Sequence, residues 1–526
     1  MFNEKPKVAV ESGFLETEFP SPAEYIEKLG NLGYENLGEA YKKVIAICEA
    51  VGGIGGKALL VGGSVRDRFI GQISKDFDIE VYGLEPERLE EIVSGFGKVS
   101  DVGRAFGILK ISSEGGIDID VSVPRRDSKI GEGHRGFAVK TEPNMSVEDA
   151  ARRRDFTINS MAADPLTGEI FDPFNGIQDL RERRLRVTDP ERFRDDPLRV
   201  LRGLQFMARF GLNLEPETAR IMESMVPELK KLPKERFLEE WKKMLLKSEM
   251  PSIGLITGMA LGVFHELHPE LPPLKETPQE KEWHSEGDVW IHTLMAVDEA
   301  AQIIRRENLS EEKSWVVMLA TLAHDFGKPA VTGFEEGRLK SHGHESAGKE
   351  PAKTFLNTLG VDNLTTEKVI RIVVNHLAPA TFYISEEIKG EKISDGAIRR
   401  LAQRIHPATI QELVLVAEAD HLGRGPLSDP EMSEQLLLSF GEFPAGEWLL
   451  ERARKINVEN SKPADLIRGR QLIALGFEKG KSIGEIIDLA NRLRDEKNFT
   501  SEMVFGEIFE IKDSSRAIGR LRSLLI

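Results

Sequence analysis

The chain has 526 residues, 71 Lys and Arg against 87 Asp and Glu for a net charge of −16, and 40% hydrophobic residues. That length exceeds one ordinary core, so three or more packed units are expected, and no apolar run approaches the roughly 18 residues a membrane span needs. The start, Met1 to Glu16, lacks the basic-then-apolar order of a secretory signal, which makes the cytoplasm the expected compartment, and the lone Cys48 excludes an internal disulfide.

Along the chain, Tyr25 to Ala50 has the apolar spacing of a helix and ends in Gly52-Gly53-Ile54-Gly55-Gly56, which closes an N-terminal helical extension, 1–55. Lys57 to Val61 then reads as a short buried strand, Arg66 to Ile70 as a helix and Phe77 to Tyr82 as an alternating strand. Pro86 to Ser94 looks helical, and Ile108 to Ser112 and Ile117 to Val123 look like strands, so 56–178 is expected to be a small α+β head. From Asp179 the strand signals stop. Amphipathic patterns at Pro197 to Phe210 and Lys234 to Leu246 predict a helical neck and body, 179–275. Leu271 to Glu282, with three prolines, reads as a linker to a second all-helical unit, 283–424. Gly425 to Pro430 breaks the chain before a helical tail, 425–526. Nine arginines gather between Arg181 and Arg209, so the acidic total does not by itself exclude a nucleic-acid partner.

Gly62-Gly63-Ser64-Val65-Arg66-Asp67 lies between a strand and a helix, a context in which glycines let backbone amides approach a phosphate. In Asp76-Phe77-Asp78, strand alternation puts both carboxylates on one face, where their repulsion is best relieved by cations. Asp118 and Asp120 offer a third carboxylate from a neighbouring strand, and paired divalent metals in such a cage hold both the attacking and the leaving oxygen of a phosphoryl displacement.

The order Gly-Gly-Ser-Val-Arg-Asp, Asp76-x-Asp78, then Arg153-Arg154-Asp155-Phe156-Thr157-Ile158-Asn159 resembles the class II tRNA nucleotidyltransferases of the polymerase β superfamily, whose relatives include bacterial poly(A) polymerases. The resemblance covers roughly residues 56 to 250. It implies that Asp76 and Asp78 bind two Mg²⁺ ions, with Asp120 the best match to the third acidic position and Asp118 a register alternative. It also implies that Gly62, Gly63, Ser64 and Arg66 belong to the nucleotide site, and that Arg153, Arg154, Asp155 and Asn159 hold the triphosphate and the ribose. Asp101 to Lys110 sits where the family has its flexible loop, and Glu235-Arg236 matches its last helix motif.

Template-free addition needs a protein surrogate for a base-pairing partner. A carboxylate accepts from the exocyclic amine of cytosine or adenine, and a guanidinium donates to ring acceptors. Asp195-Asp196-Pro197-Leu198-Arg199 supplies such a pair at i and i+3 on one predicted helical face, and resembles the family's base-reading motif at Asp196 and Arg199, with Arg202 placed in the same nucleotide-binding set. An intrahelical salt bridge is the competing reading.

His324-Asp325 after an apolar run, with His292 and Asp420 in two further amphipathic segments, resembles the HD superfamily of metal-dependent phosphohydrolases. Imidazole with carboxylate suits a divalent transition metal or Mg²⁺. His284, His342, His344 and His376 are candidates for further ligands or phosphate contacts. The expected activity is addition of CMP and AMP to a tRNA 3′ end from CTP and ATP, with metal-dependent phosphohydrolysis in the HD unit. The alternatives are a poly(A) polymerase, a partial A-adding or CC-adding enzyme, and an HD phosphohydrolase with a non-catalytic transferase unit. An intact HD unit favours tRNA, since typical bacterial poly(A) polymerases lack one.

Overall fold

The computed structural model describes residues 19–74, 76–100, 107–112, 117–129, 137–425 and 442–526. Residues 101–106 of the flexible-loop match and 426–430 of the expected break lie outside them. The chain forms two compact units, Met1–Glu240 with Ile256–Glu266, and Trp241–Leu255 with Leu267–Ile526.

The first unit opens with two helices where one helical stretch is expected. Helix α1 (Pro22–Asn31) starts on a capping box of Ser21 and Glu24, and α2 (Glu35–Gly52) follows after Gly33, whose φ of +76° ends the first helix. Tyr41, Val44, Ile47 and Val51 bury one face of α2, and burial pushes the Cys48 thiol up to about 12, leaving it an inert part of that core. Arg68 of α3 (Gly63–Phe69) is buried among the rings of Phe19, Tyr25 and Tyr41, 3.7 to 4.6 Å from their centroids. It fixes the N-terminal hairpin to the sheet unit.

Among the described residues the sheet has seven strands: β1 (Lys57–Val61), β2 (Phe77–Tyr82), β3 (Val99–Ser100), β4 (Ile108–Ser112), β5 (Asp118–Ser122), β8 (Ala162–Ala163) and β9 (Ile170–Phe171), with α4 (Pro86–Ser94) after β2. Their spatial order is β3-β4-β5-β2-β1-β8-β9. A separate hairpin pairs β6 (Arg125–Lys129) with β7 (Phe137–Thr141), and α5 (Val147–Arg152) follows it. Strand alternation sorts β2 and β5 by parity. Phe77, Ile79 and Val81 join Ile119 and Val121 in an apolar face, which leaves Asp78, Glu80 and Asp120 on the other. The two strands run parallel in a register that sets Asp78 beside Asp120 and Glu80 beside Ser122. The expected strands thus form as read. The β6–β7 hairpin and the strands β8 and β9 were not expected, since β6 has no apolar residue and two-residue strands are too short to show a period.

Beyond the sheet, α6 (Gly176–Arg181) leads to α7 (Leu198–Phe210), which buries Val200, Leu201, Leu204, Met207 and Ala208 and ends at Gly211 with φ +61°. Strand pairing does not stop at Asp179. Arg184–Leu185 pairs with Asn213–Leu214, and Gly333–Glu335 forms a hairpin with Arg338–Lys340, segments too short to signal in sequence.

In the second unit α8 (Val289–Arg306) packs against α9 (Glu311–Ala323) and α12 (Ile410–Leu422), and α9 also packs against α10 (Asn363–Val373), with α11 (Asp395–Ile405) alongside. Every residue from Ser314 to Ala323 is buried, as a central helix requires. The expected linker at Leu271 to Glu282 is instead part of this packing. Pro272 and Pro273 begin a short helix (Pro272–Lys275), Leu271 and Leu274 are fully buried, and the Val289 amide donates to the Thr277 carbonyl at 3.1 Å. Proline at a helix start costs no hydrogen bond, so the prolines here open a helix and do not mark a flexible joint. A tail core of Ile467, Leu472, Phe477, Ile486, Leu493, Val504 and Leu521 closes the chain. Among the described residues, no helix is long and apolar enough to cross a membrane.

Candidate active site and candidate metal centre

The glycine turn is real and strained where expected. Gly62 has φ +68° and ψ −131°, a backbone that side-chain-bearing residues rarely adopt, and a Cβ there would lie 3.3 Å from Arg154 Nη1 and 3.8 Å from Asp78 Oδ2, close enough to press on the Arg154 guanidinium. Asp78, Glu80, Ser122, Arg125, Arg153 and Arg154 line one cleft of about 200 Å³. Burial, and next the neighbouring Asp120, push the Asp78 carboxyl up to about 6. Burial also raises Asp120, despite Lys110 Nζ at 3.8 Å, and its buried Oδ1 has no hydrogen-bond partner. Two carboxylates destabilised by each other and by lost water, one with an oxygen left bare, fit a dication. Asp118, the register alternative, turns to Lys110 Nζ at 3.0 Å and Ser112 Oγ at 3.0 Å, and is not paired with Asp78.

Glu80 was not anticipated. It is buried, accepts from Tyr82 Oη at 2.8 Å, and pairs with Arg153 and, at 3.3 Å, with Arg154. Burial alone drives its carboxyl up, but Arg154 and Arg153 outweigh this and hold it below the usual range. The signal was present in the sequence, because Asp78 and Glu80 share one parity of β2; Asp76, exposed, lies one residue before the strand begins. The two arginines keep 25% and 18% of their side chains exposed, toward the cleft that Asp78 lines. A carboxylate group and a guanidinium pair facing one cleft suit a polyanion carried with its cations.

The remaining candidates fall behind this cleft as a connected network. Ser64 is buried with its hydroxyl on the Val61 carbonyl at 2.9 Å. Arg66 is buried against Phe210, donating to Asn159 Oδ1 at 2.5 Å and to Asp67. Asn159 donates to Asp155 Oδ1 at 2.9 Å, and Arg202 of α7 pairs with Asp155 Oδ2 at 2.7 Å. Burial opposes the Asp155 charge, but Arg202 and Asn159 hold its carboxyl down to about 2. These four side chains tie the glycine-turn helix to α7.

Asp196 and Arg199 do not bridge each other. Residues before a proline avoid helical backbone, so Pro197 leaves Asp196 ahead of α7, where its carboxylate accepts from the Leu198 amide at 3.1 Å and from Arg236 Nη2 at 2.8 Å. Arg199 donates to the carbonyls of Arg192 at 2.8 Å and Arg153 at 2.6 Å. Expecting the pair on one helical face is therefore corrected to a residue at the helix entrance and one in its first turn. Asp196 is half-buried and keeps its carboxylate off Arg199, against the salt-bridge reading.

In the second unit the expected residues converge. His292 from α8, His324 and Asp325 after α9, and Asp420 from α12 are all buried. His292 Nε2 lies 3.0 Å from Asp420 Oδ1 and 3.3 Å from His324 Nε2, while His324 Nε2 lies 3.2 Å from Asp325 Oδ2. Ligands about 2.0–2.2 Å from one ion lie roughly 3–4 Å from each other, so the donor set fits a metal. Glu286, also missed, is half-buried, with its carboxylate between His284 Nδ1 at 2.7 Å and His292 Nδ1 at 3.0 Å, and aligns the His292 ring. Burial pushes the His284 imidazole down to about 4 and His376 down to about 3, so both are neutral at pH 7. A cavity of about 420 Å³ opens onto this cluster and is lined by Trp283, Lys328, Lys340, His342 and Arg424 among others. His342 is exposed, whereas His344 and His376 are buried.

The head and its cleft define a nucleotidyltransferase, here joined to an HD unit. Family models match in that order: the poly A polymerase head domain over residues 58–186, the "probable RNA and SrmB-binding site of polymerase A" over 211–274, and the HD domain over 289–425. The chain is 34% identical over 373 residues to a multifunctional CCA protein of Xanthomonas campestris, covering 70% of this chain and 85% of that one. It is 35% identical over 439 residues to one of Xanthomonas oryzae, covering 82% and 97%. The chain belongs to the family of multifunctional CCA proteins. Its fold is that of the Bacillus stearothermophilus CCA-adding enzyme solved with CTP (TM-score 0.60, 21% identity, 92% of this chain and 98% of that one) and of the Thermotoga maritima enzyme solved with tRNA (0.53, 19%, 93% and 96%).

Proposed function

We propose that this chain adds CMP and AMP to the tRNA 3′ end from CTP and ATP, and that its HD unit hydrolyses phosphoesters at RNA ends. The observation that carries the first part is the in-register pairing of Asp78 with Asp120 across one cleft from the arginines that Glu80 holds. Asp76, Asp78 and Asp120 are the residues that hold Mg²⁺; when bound, the ions supply the Lewis acid that activates a 3′-hydroxyl and neutralises pyrophosphate. Arg153 and Arg154 receive the triphosphate on the opposite side, and the Gly62 turn keeps that approach open. Asp196 offers its carboxylate to the amine shared by cytosine and adenine, and Arg199, anchored on the Arg153 carbonyl, sets the base reader at a fixed distance from the phosphate clamp. Uracil and guanine carry a carbonyl where that amine stands, so they meet a second acceptor and are refused.

In the HD unit, His292, His324, Asp325 and Asp420 hold a divalent transition metal or Mg²⁺, which supplies an activated water when bound. Lys328 and Arg424 at the cavity place positive charge beside an incoming phosphate. The relatives' name agrees with CCA addition, and we place that work in the cytoplasm. The deciding experiment presents tRNA ending before the first C, after one C and after two, with labelled CTP or ATP. Ordered incorporation of C, C and then A is expected; A alone, C alone or a run of A identifies one of the narrower enzymes.

A further inference from the structure

We propose that Lys110 is a counter-ion built into the transferase cage: its ammonium competes with an incoming divalent ion for Asp120, and Asp118 holds it aside. Together the two residues set the metal concentration at which the cage fills. The proposal rests on the reading of Asp76, Asp78 and Asp120 as the Mg²⁺ ligands and extends it to two positioning residues outside that set.

Strand register puts the lysine in line with the acids. Lys110 of β4 is the cross-strand partner of Asp120 in β5, and Asp120 is in turn the partner of Asp78 in β2. Cross-strand partners share a face of the sheet, so the three side chains form one row with the cation at its end. Alternation along β4 agrees. Leu109 and Ile111 are buried on the apolar face, and Lys110 between them is the one charged residue of the strand.

The ammonium stands between two carboxylates and is bonded to one of them. Lys110 Nζ donates to Asp118 Oδ2 at 3.0 Å, and Ser112 Oγ donates to Asp118 Oδ1 at 3.0 Å. From Asp120 Oδ1 the same nitrogen is 3.8 Å away, too far for a hydrogen bond, and that oxygen is buried without a partner. A shift of about 1 Å would bring the ammonium to the distance of a charge-assisted hydrogen bond with Asp120. Lys110 keeps 35% of its side chain exposed, which leaves it room to move. On Asp118 the ammonium leaves the bare oxygen open to an ion; on Asp120 it neutralises the charge that an ion needs. A half-exposed Lys–Asp pair adds little to stability, so bracing β4 against β5 is a poor account of this grouping beside the cage. Asp118 and Asp120, two residues apart on one face of β5, thus have different tasks: the first parks the lysine and the second receives the metal.

The test counts Mn²⁺ bound by the full chain without nucleotide, from the electron paramagnetic resonance signal of the free ion. Asp78→Asn is titrated alongside, so that ions held by the HD unit are subtracted. Lys110→Met is expected to bind Mn²⁺ at the cage roughly tenfold more tightly than the parent, and Lys110→Arg to match the parent. Asp118→Asn, which releases the lysine to Asp120, is expected to bind roughly fivefold more weakly. In the Lys110→Met background the same Asp118→Asn change is expected to have little effect, because Asp118 acts through the lysine. Unchanged or weaker Mn²⁺ binding by Lys110→Met overturns the counter-ion, and Lys110→Gln repeats that measurement should the methionine variant fail to fold. A loss on Asp118→Asn that is equal with and without the lysine overturns the parking role. A parent and an Asp78→Asn chain that bind the same number of ions overturn the reading of the cage itself.

Discussion

Asp78 combines a chemical need with a thermodynamic cost. Its carboxyl is pushed up to about 6 from an ordinary 3.8, so the folded chain holds that proton more tightly than the unfolded one. The charged form therefore lowers stability above pH 6, and the penalty vanishes below about pH 4, where both states are protonated. Asp78→Asn is expected to melt higher than the parent at pH 7.5 in chelator, by on the order of 2–3 kcal/mol, with the gap closing in scans below pH 4. Mg²⁺ should stabilise the parent and not the variant. Glu80 has the opposite balance, since its charge is favoured by Arg153 and Arg154. Glu80→Gln leaves two guanidiniums without their buried partner and is expected to cost about 3 kcal/mol in denaturant unfolding and to raise the KM for CTP roughly tenfold. A KM unchanged in steady-state assays would remove Glu80 from positioning the clamp.

Turns carry as much of the site as strands do. Gly62 occupies a backbone region that costs other residues about 1–3 kcal/mol, and its missing Cβ leaves the space beside Arg154. Gly62→Ala is expected to lower the melting temperature by several degrees and to weaken CTP binding, with Asp78-dependent Mg²⁺ stabilisation retained; unaltered CTP affinity in calorimetry would show that the approach to Arg154 is immaterial. In the HD unit the recurring device is a histidine whose ring proton is taken by the carbonyl three residues back, at His324, His344 and His376. Each ring is oriented by its own chain segment. Pro197 plays the comparable part for Asp196 by holding it at a helix entrance.

Over the whole molecule the net charge of −16 coexists with a local excess of arginine, and Arg181, Arg183 and Arg192 are exposed. Replacing these three by Glu is expected to weaken tRNA binding and to flatten its salt dependence by roughly 0.7–0.9 in log–log slope for each phosphate no longer neutralised, with the fold intact by circular dichroism. The two activities should also separate. His324→Ala should keep labelled CTP incorporation and lose metal-dependent 2′,3′-cAMP hydrolysis, and Asp78→Ala should do the reverse. Much of this was legible in the chain: β1 follows from an unbroken apolar run, β2, β4 and β5 from alternation, and Asp78 with Asp120 from the same parity. Other features were hidden because they depend on distant partners. Arg236 reaching Asp196, Glu286 reaching His292, and the burial of Arg66 leave no periodic trace, and Pro272 and Pro273 read as a break because a proline that opens a helix looks the same in sequence as one that ends it.

Strand β2 spells two messages in one six-residue word. Its odd-numbered letters, Phe77, Ile79 and Val81, close the apolar side of the sheet, while Asp78 and Glu80 between them govern the ionic side. A slip of one position against β5 would exchange the two sets wholesale, burying both carboxylates in grease and stranding three hydrocarbons in water. The sheet cannot close in the wrong frame and keep a workable cleft, so for this strand attaining the native fold and becoming competent for chemistry are a single event.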